Sequence, residues 1–329
     1  MPRPDIARLG IRYRRIPILS IGRDVYLDTR LIIQKLEQLS SDRPKLGATS
    51  AEHQAIERLL ETYAVDGGLF TSAAKLIPPD IPLIRDPKFQ RDRADFFGAS
   101  SGTSSRKSSS SRSERPPIAV RPEAVLELRR NAELLENTLL ADGRDWILGN
   151  AEPSLADIEA VWPLHWLAGM SAGLTPTPAL PPDQVSAKQF PRVFAWIARF
   201  QAAVTAAKKH LPHGEPKSVS GEQAANDIVL QAPLYEDAEA VGVDEKDPVA
   251  SFHGLRKGHL VSVWPIDSGS SPVHRDIGQL VALNEAEVII ETEVGVRLHA
   301  PRHGFRVSPA ATGNGEGGGG SHGKMSSSL

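Results

Sequence analysis

Hydrophobic positions along this chain follow three successive patterns. The first runs from Ile16 to Leu39. Ile16–Ile21 and Val25–Leu27 read as strands on either side of Gly22-Arg23, a two-residue turn that glycine's tolerance of positive φ permits. Leu31, Ile32, Leu36 and Leu39 then keep a helical period. Asp28 stands at the start of that helix as an N-cap, its carboxylate able to accept from backbone N–H groups of the first turn.

The second pattern is helical. Ile56, Leu59, Leu60, Tyr63 and Leu69 mark the apolar stripe of one long helix over 50–77, weakened at Gly67-Gly68 and stopped by Pro78-Pro79. A short helix is expected over 86–97. Pro122–Leu140 is amphipathic, with Val125, Leu128, Ala132, Leu135 and Leu139 on one face. Trp146–Gly149 reads as an extended connector. Ser154 and Asp157 form a capping box, Ser154 accepting from the Asp157 N–H while Asp157 reaches back. The helix behind it is apolar almost all round through Leu167, which predicts a place at the centre of a bundle and a bend at Pro163. A last helix covers 191–208, with Val193, Trp196, Ile197 and Phe200 inside.

The third pattern, from Phe252 to Val307, is short alternating runs at 260–264, 278–283, 287–292 and 294–298, separated by Gly, Asp, Ser and Pro. It predicts a small antiparallel β module, closed as a barrel or open. The stretch 209–250 is polar and broken, a linker with short ordered pieces. Residues 99–117 are Ser-rich with Arg and Lys and carry too few apolar groups to pack, so disorder is expected there. Arg106-Lys107-Ser108 offers a phosphorylation target in that insertion. The Gly/Ser tail over 309–329 reads as flexible.

Composition narrows the chemistry. The 329 residues carry a formal net charge of -2, which gives no electrostatic reason to expect nucleic acid or an anionic membrane as partner. No apolar run approaches the roughly 20 residues that cross a bilayer, and the start of the chain has no apolar signal core. The expectation is a cytoplasmic protein. Cysteine is absent. That excludes disulfides, a Cys-X-X-Cys redox pair and cysteine zinc sites, so any thiol chemistry must use a thiol carried by a ligand. Arg297, His299 and Arg302 are basic residues of the β module, but acidic ones such as Asp276, Glu287 and Glu291 largely balance them. No aromatic-rich stacking strand accompanies them. They read as a solvated surface rather than a nucleic-acid site. His299-X-X-X-His303 lies near a proline turn, where the i, i+4 geometry of a helical metal pair is not expected, so no metal site is assigned.

Two blocks resemble the glutathione transferase superfamily. One is the Pro-strand-turn-strand-Asp-Thr unit over 16–39. The other is 122–205, with Leu148, Gly149, Pro153, Ser154, Leu155, Ala156, Asp157 and Ile158 in the family's order. More narrowly, the chain resembles a fungal branch of transferase-like proteins with a C-terminal β extension. The resemblance implies an α+β multidomain fold: a partial thioredoxin-like α/β fragment over 1–42, an all-α bundle of the family's C-terminal type over 48–208, and the β module over 251–308. It implies glutathione as co-substrate or ligand. In the family the proline before this strand is cis, so the backbone of Ile16 beside Pro17 would pair with the cysteinyl part of glutathione. Asp28 and Thr29, at a helix N-terminus that favours anions, would hold the γ-glutamyl end. An apolar pocket on the helical domain would receive an unidentified electrophile, and a homodimer is implied by analogy.

The departure from the family lies at the front. The residue that activates the glutathione thiol belongs to a β-α-β unit of about 30 residues, and Met1–Arg15 is too short to hold it. Tyr13 lies in the wrong place to substitute, so no catalytic residue is assigned. The expectation is a chain that starts inside the domain, with a two-stranded hairpin exposed at its edge and prone to association. Two functions remain open: a transferase-like protein that binds or conjugates glutathione, and a non-catalytic glutathione-binding or protein-interaction scaffold.

Overall fold

A computed structural model describes residues 3–39, 44–78, 81–96, 121–171, 178–211, 214, 216–227, 229, 232–266 and 274–310. The expected disordered insertion and most of the expected flexible tail lie outside them. In chain order the first elements are α1 (Pro4–Ala7), β1 (Ile18–Ile21), β2 (Asp24–Leu27) and α2 (Thr29–Gln38). Next come α3 (Ala51–Val65), α4 (Leu69–Lys75), α5 (Pro82–Arg85), α6 (Pro87–Phe96), α7 (Arg121–Leu134), α8 (Leu155–Ser171) and α9 (Pro191–Lys209). Then follow α10 (Gly221–Asn226), α11 (Ala238–Val241), α12 (Pro248–His253), β3 (Leu260–Pro265), β4 (Asp276–Leu283), β5 (Glu287–Glu291), β6 (Arg297–Pro301) and β7 (Phe305–Pro309). The chain divides into two compact units, one built on the residues up to Ile33 and those from Val219 onward, the other on Gln34–Asp95 and the stretch ending at Ser218.

The first unit corrects the expected partition. Its sheet has seven strands in the order β1-β2-β6-β5-β4-β3-β7. The N-terminal hairpin and the C-terminal β module are therefore one sheet, open rather than barrelled. They join where β2 pairs in parallel with β6, Asp24 opposite Arg297, Val25 opposite Leu298 and Tyr26 opposite His299. The other neighbours are antiparallel. β1 ends the sheet as an edge strand, but the hairpin does not stand alone. Alternation assigns two faces. Val25, Leu27, Leu298, Ala300, Val288 and Ile290 point into one apolar core. On the other face, Tyr26 packs with Leu31 and Ile32 of α2 and with Leu19 and Ile21 of β1.

From Val219 onward the expected linker is likewise part of this unit. Arg23 N donates to Pro233 O at 3.0 Å, and Tyr235 N donates to Asp24 Oδ2 at 2.6 Å. Asp247 caps α12 by accepting from the amides of Val249 and Ala250 and also accepts from Arg302 Nη1 at 2.9 Å. Burial alone would raise its carboxyl pKa, but Arg302 and these amides hold it below the ordinary value. The strand expected at 294–298 begins later, at Arg297, because Gly295 with φ 76° closes a turn before it.

The second unit is the helical bundle. Leu128, Leu135, Val161, Leu164, Leu167 and Trp196 lie in its core. The long helix expected over 50–77 is two helices, because Gly68 adopts φ 87° and ends the right-handed path between α3 and α4. The helix after Pro122 extends α7 through a π-helical turn at Leu135–Leu139. Within that turn Glu136 is buried and accepts from the amides of Arg192 and Val193, satisfying the start of α9 that Phe190 does not cap. Trp146–Gly149 is a turn rather than an extended connector, closed by Gly149 N on Trp146 O. The capping box is half of the expected one. Asp157 Oδ2 does accept from Ser154 N at 2.9 Å, but the Ser154 hydroxyl donates to Asp157 instead of accepting from its amide. Asp157 Oδ1 also takes Ile147 N and the Trp196 indole, each at 2.9 Å. Nor is α8 enclosed all round: Trp162 and Trp166 form a half-exposed aromatic face with Phe70, at 5.1 and 6.3 Å between ring centroids.

Candidate functional site

The four residues that the resemblance singles out belong to the first unit. The peptide bond Ile16–Pro17 is cis. β1 begins immediately after it, and the hairpin register pairs Ile18 with Leu27. The next opposed positions, just outside the ladder, are therefore Pro17 and Asp28. Neighbouring strands lie about 4.8 Å apart, so the hairpin brings these two features side by side although eleven positions separate them in sequence.

Asp28 is the hinge between β2 and α2. It adopts φ 68°, the left-handed region that a non-glycine residue enters at a cost of about 1–2 kcal/mol. Asp tolerates it better than most residues, because its short side chain bonds locally. Here Oδ1 accepts from Arg30 N at 3.1 Å, and the Asp28 carbonyl accepts from Ile32 N at 3.0 Å. That is N-cap geometry. The chain thus turns from strand to helix in one residue. Ile16 is 68% exposed, Pro17 and Thr29 are exposed, and Asp28 is half-buried. Together they make an open, solvent-facing shelf: strand backbone on one side, a hydroxyl, a carboxylate and a helix N-terminus on the other.

Tyr13 does not face this shelf. It is 4% exposed, packs its ring 6.0 Å from Phe305 and donates its amide to Asp276. A cavity of about 680 Å³ elsewhere in the unit is lined by residues including Ala7, Arg12, Ile277 and Glu291, and by none of the four.

The acid and base residues read as a solvated surface are corrected by the structure. His299 and Asp276 are at 0% and 1% exposure, and Glu287 and Arg297 are at 6%. His303 is exposed, so it forms no pair with His299. Sequence separation hid this group: Asp24 meets His299 across 275 positions. The available signal was the alternation Arg297-Leu298-His299-Ala300, which marks one polar face without saying whether water or protein covers it.

Among solved structures, the chain is similar to a GST-like protein from Pseudomonas syringae, with 23% identity, 94% of this chain and 86% of that chain covered, and a TM-score of 0.57. That likeness shows the fold: the chain shares the architecture of a GST-like protein. A Tau class glutathione S-transferase from mango, Mangifera indica, matches at 15% identity over 65% of this chain and 76% of that one, with a TM-score of 0.37. A family model described as a domain of unknown function, DUF7962, matches residues 72–209, most of the helical unit. No curated protein matches the sequence. Among the described residues no helix is long and apolar enough to cross a membrane.

Proposed function

We propose that the shelf at the end of the hairpin binds glutathione, and that the protein acts as a glutathione transferase-like binder of that thiol. The observation that carries this reading is the register, which sets the Ile16–Pro17 backbone opposite Asp28 at the head of α2. An extended tripeptide laid along the shelf pairs its cysteinyl backbone with that of Ile16 in strand fashion. Its γ-glutamyl carboxylate meets the first turn of α2 and the Thr29 hydroxyl, where the helix dipole favours an anion. Its ammonium group meets the Asp28 carboxylate, whose Oδ1 also accepts from Arg30 N. With no cysteine in the chain, the reactive sulfur in this reading belongs to glutathione. Conjugation would attack an electrophile with that sulfur once a hydrogen bond lowers the thiol pKa.

A second reading keeps the binding and drops the turnover. The burial of Tyr13 against Phe305 favours it, as does the engagement of the Tyr26 hydroxyl with Glu236, because neither phenol is offered to the shelf. Retention on immobilised glutathione, followed by conjugation of a general electrophile such as a chlorodinitrobenzene, separates the two. Specific retention, eluted by free glutathione and weakened in Thr29→Ala, supports the site, and turnover supports the transferase. Retention without turnover leaves the binder. A chain that passes through the column unretained sinks both.

A further inference from the structure

A separate polar constellation lies where β2, β6 and β5 meet, on the sheet face turned away from the main apolar core. His299 is fully buried on β6. The register sets it beside Tyr26 on one side and Ile289 on the other. Asp24 and Glu287 share its face two positions along the neighbouring strands and reach it diagonally. Nε2 lies 2.8 Å from Asp24 Oδ1, and Nδ1 lies 2.9 Å from Glu287 Oε2. Glu236, on the segment before α11, brings a third carboxylate to the same place. One ligand atom each of Glu236, Glu287 and His299 lies within 4.8 Å of the other two. Tyr26 donates its hydroxyl to Glu236 Oε1 at 2.8 Å. Burial first, and the Glu236 carboxylate second, keep that phenol far above its ordinary pKa and hence a neutral donor.

Hydrogen-bonding capacity limits what can sit at His299. Asp24 is an acceptor here, taking the amides of Tyr235 and Glu236 as well, so Nε2 carries the hydrogen. Nδ1 then faces a carboxylate oxygen at bonding distance. In a neutral imidazole that would set one lone pair against another. A positive species belongs between them, either a proton or a metal ion. A proton serves the single line from Nδ1 to Glu287. A metal ion also uses the Glu236 carboxylate that converges on the same point.

We propose that His299 Nδ1, Glu287 and Glu236 form a binding site for a first-row divalent cation such as zinc, with Asp24 and Tyr26 orienting two of the ligands from outside. Imidazole and carboxylate together suit this class of ion. A carboxylate on the second ring nitrogen is the usual outer partner of a metal-bound histidine. Bond lengths of about 2.0–2.2 Å place ligand atoms roughly 3–4 Å apart, so Glu236 moves slightly inward on binding. Glu236 is half-buried, which gives the ion a path from solvent and leaves water as its fourth ligand. This site stands independently of the glutathione shelf.

The test uses the full-length untagged chain, stripped with a chelator and titrated with Zn²⁺ by calorimetry and with Co²⁺ by visible absorption. One ion per chain is expected, with a cobalt d–d band that Zn²⁺ displaces. Glu236→Gln keeps an acceptor for Tyr26 and should leave the melting temperature of the metal-free protein unchanged. It should weaken both ions at least about tenfold, the scale on which even outer partners act. A readout free of variants is the imidazole nitrogen resonances: Zn²⁺ should shift Nδ1 of His299 far more than Nε2. Absence of stoichiometric binding, binding that Glu236→Gln leaves unaltered, or an unmoved Nδ1 at saturating Zn²⁺ would each overturn the proposal in favour of an imidazolium held between two carboxylates.

Discussion

Asp276 shows how much one buried side chain fixes. At 1% exposure it accepts the amides of Arg12 at 2.6 Å and Tyr13 at 3.2 Å, pinning the segment that leads to the hairpin. Burial pushes its carboxyl up to about 7, against the pull of those two amides toward the charged form. The unfolded carboxyl ionises near 3.8. Between about pH 4 and pH 7 the folded state therefore holds the extra proton, and by linkage stability falls as pH rises through that window and levels off above it. Asp276→Asn keeps a carbonyl acceptor and removes the charge. Thermal melts of both proteins from pH 5 to pH 8 should show the variant gaining on the wild type as pH rises, whereas parallel profiles would refute this account of Asp276. Local chemistry of this kind is only partly legible in sequence. Asp28 could be read as an N-cap because its donor, Arg30 N, lies two residues on. Asp276 could not, because its donors lie 264 and 263 positions away.

Among the elements, two glycines with positive φ separate conformational need from lack of room. Gly68 ends the path from α3 to α4 at φ 87°, and a Cβ there would meet nothing within 4 Å. Gly22 turns the hairpin at φ 59°, and a Cβ would come 2.3 Å from the Pro233 carbonyl oxygen. Gly68→Ala should cost about 1–2 kcal/mol, the left-handed penalty alone. Gly22→Ala adds overpacking of about 1–3 kcal/mol against backbone and strikes the contact that ties the 233–236 segment to β2. Denaturant unfolding of each variant checks the order, and equal losses would contradict it. Turns and caps were visible from sequence because glycine and Asp carry their own signals. Strand partners were not. The alternation of Val25, Tyr26 and Leu27 is the same whether β2 borders solvent or β6, so the hairpin read as exposed. Helix α8 was misjudged for a related reason: composition alone cannot tell a buried aromatic face from the half-exposed one formed by Trp162 and Trp166.

At the level of the molecule, the sheet of the first unit is assembled from residues at opposite ends of the chain. β2 supports α2 and the shelf, and β6 supports β2, 273 positions later by the pairing of Asp24 with Arg297. The predicted boundaries at 42 and 251 separated what hydrogen bonding joins. The helical unit was easier to read, because each helix carries its own apolar period and end signals in sequence. The function rests on whether this assembled shelf recognises a γ-linked tripeptide. Titration of glutathione into the ¹⁵N-labelled full-length chain tests that most directly. We expect saturable shifts at the amides of Ile16, Asp28, Thr29 and Arg30 and at their strand neighbours, absent when the γ-glutamyl group is removed from the peptide. A spectrum that glutathione leaves unmoved, or shifts confined to residues away from the hairpin and the head of α2, would contradict the account.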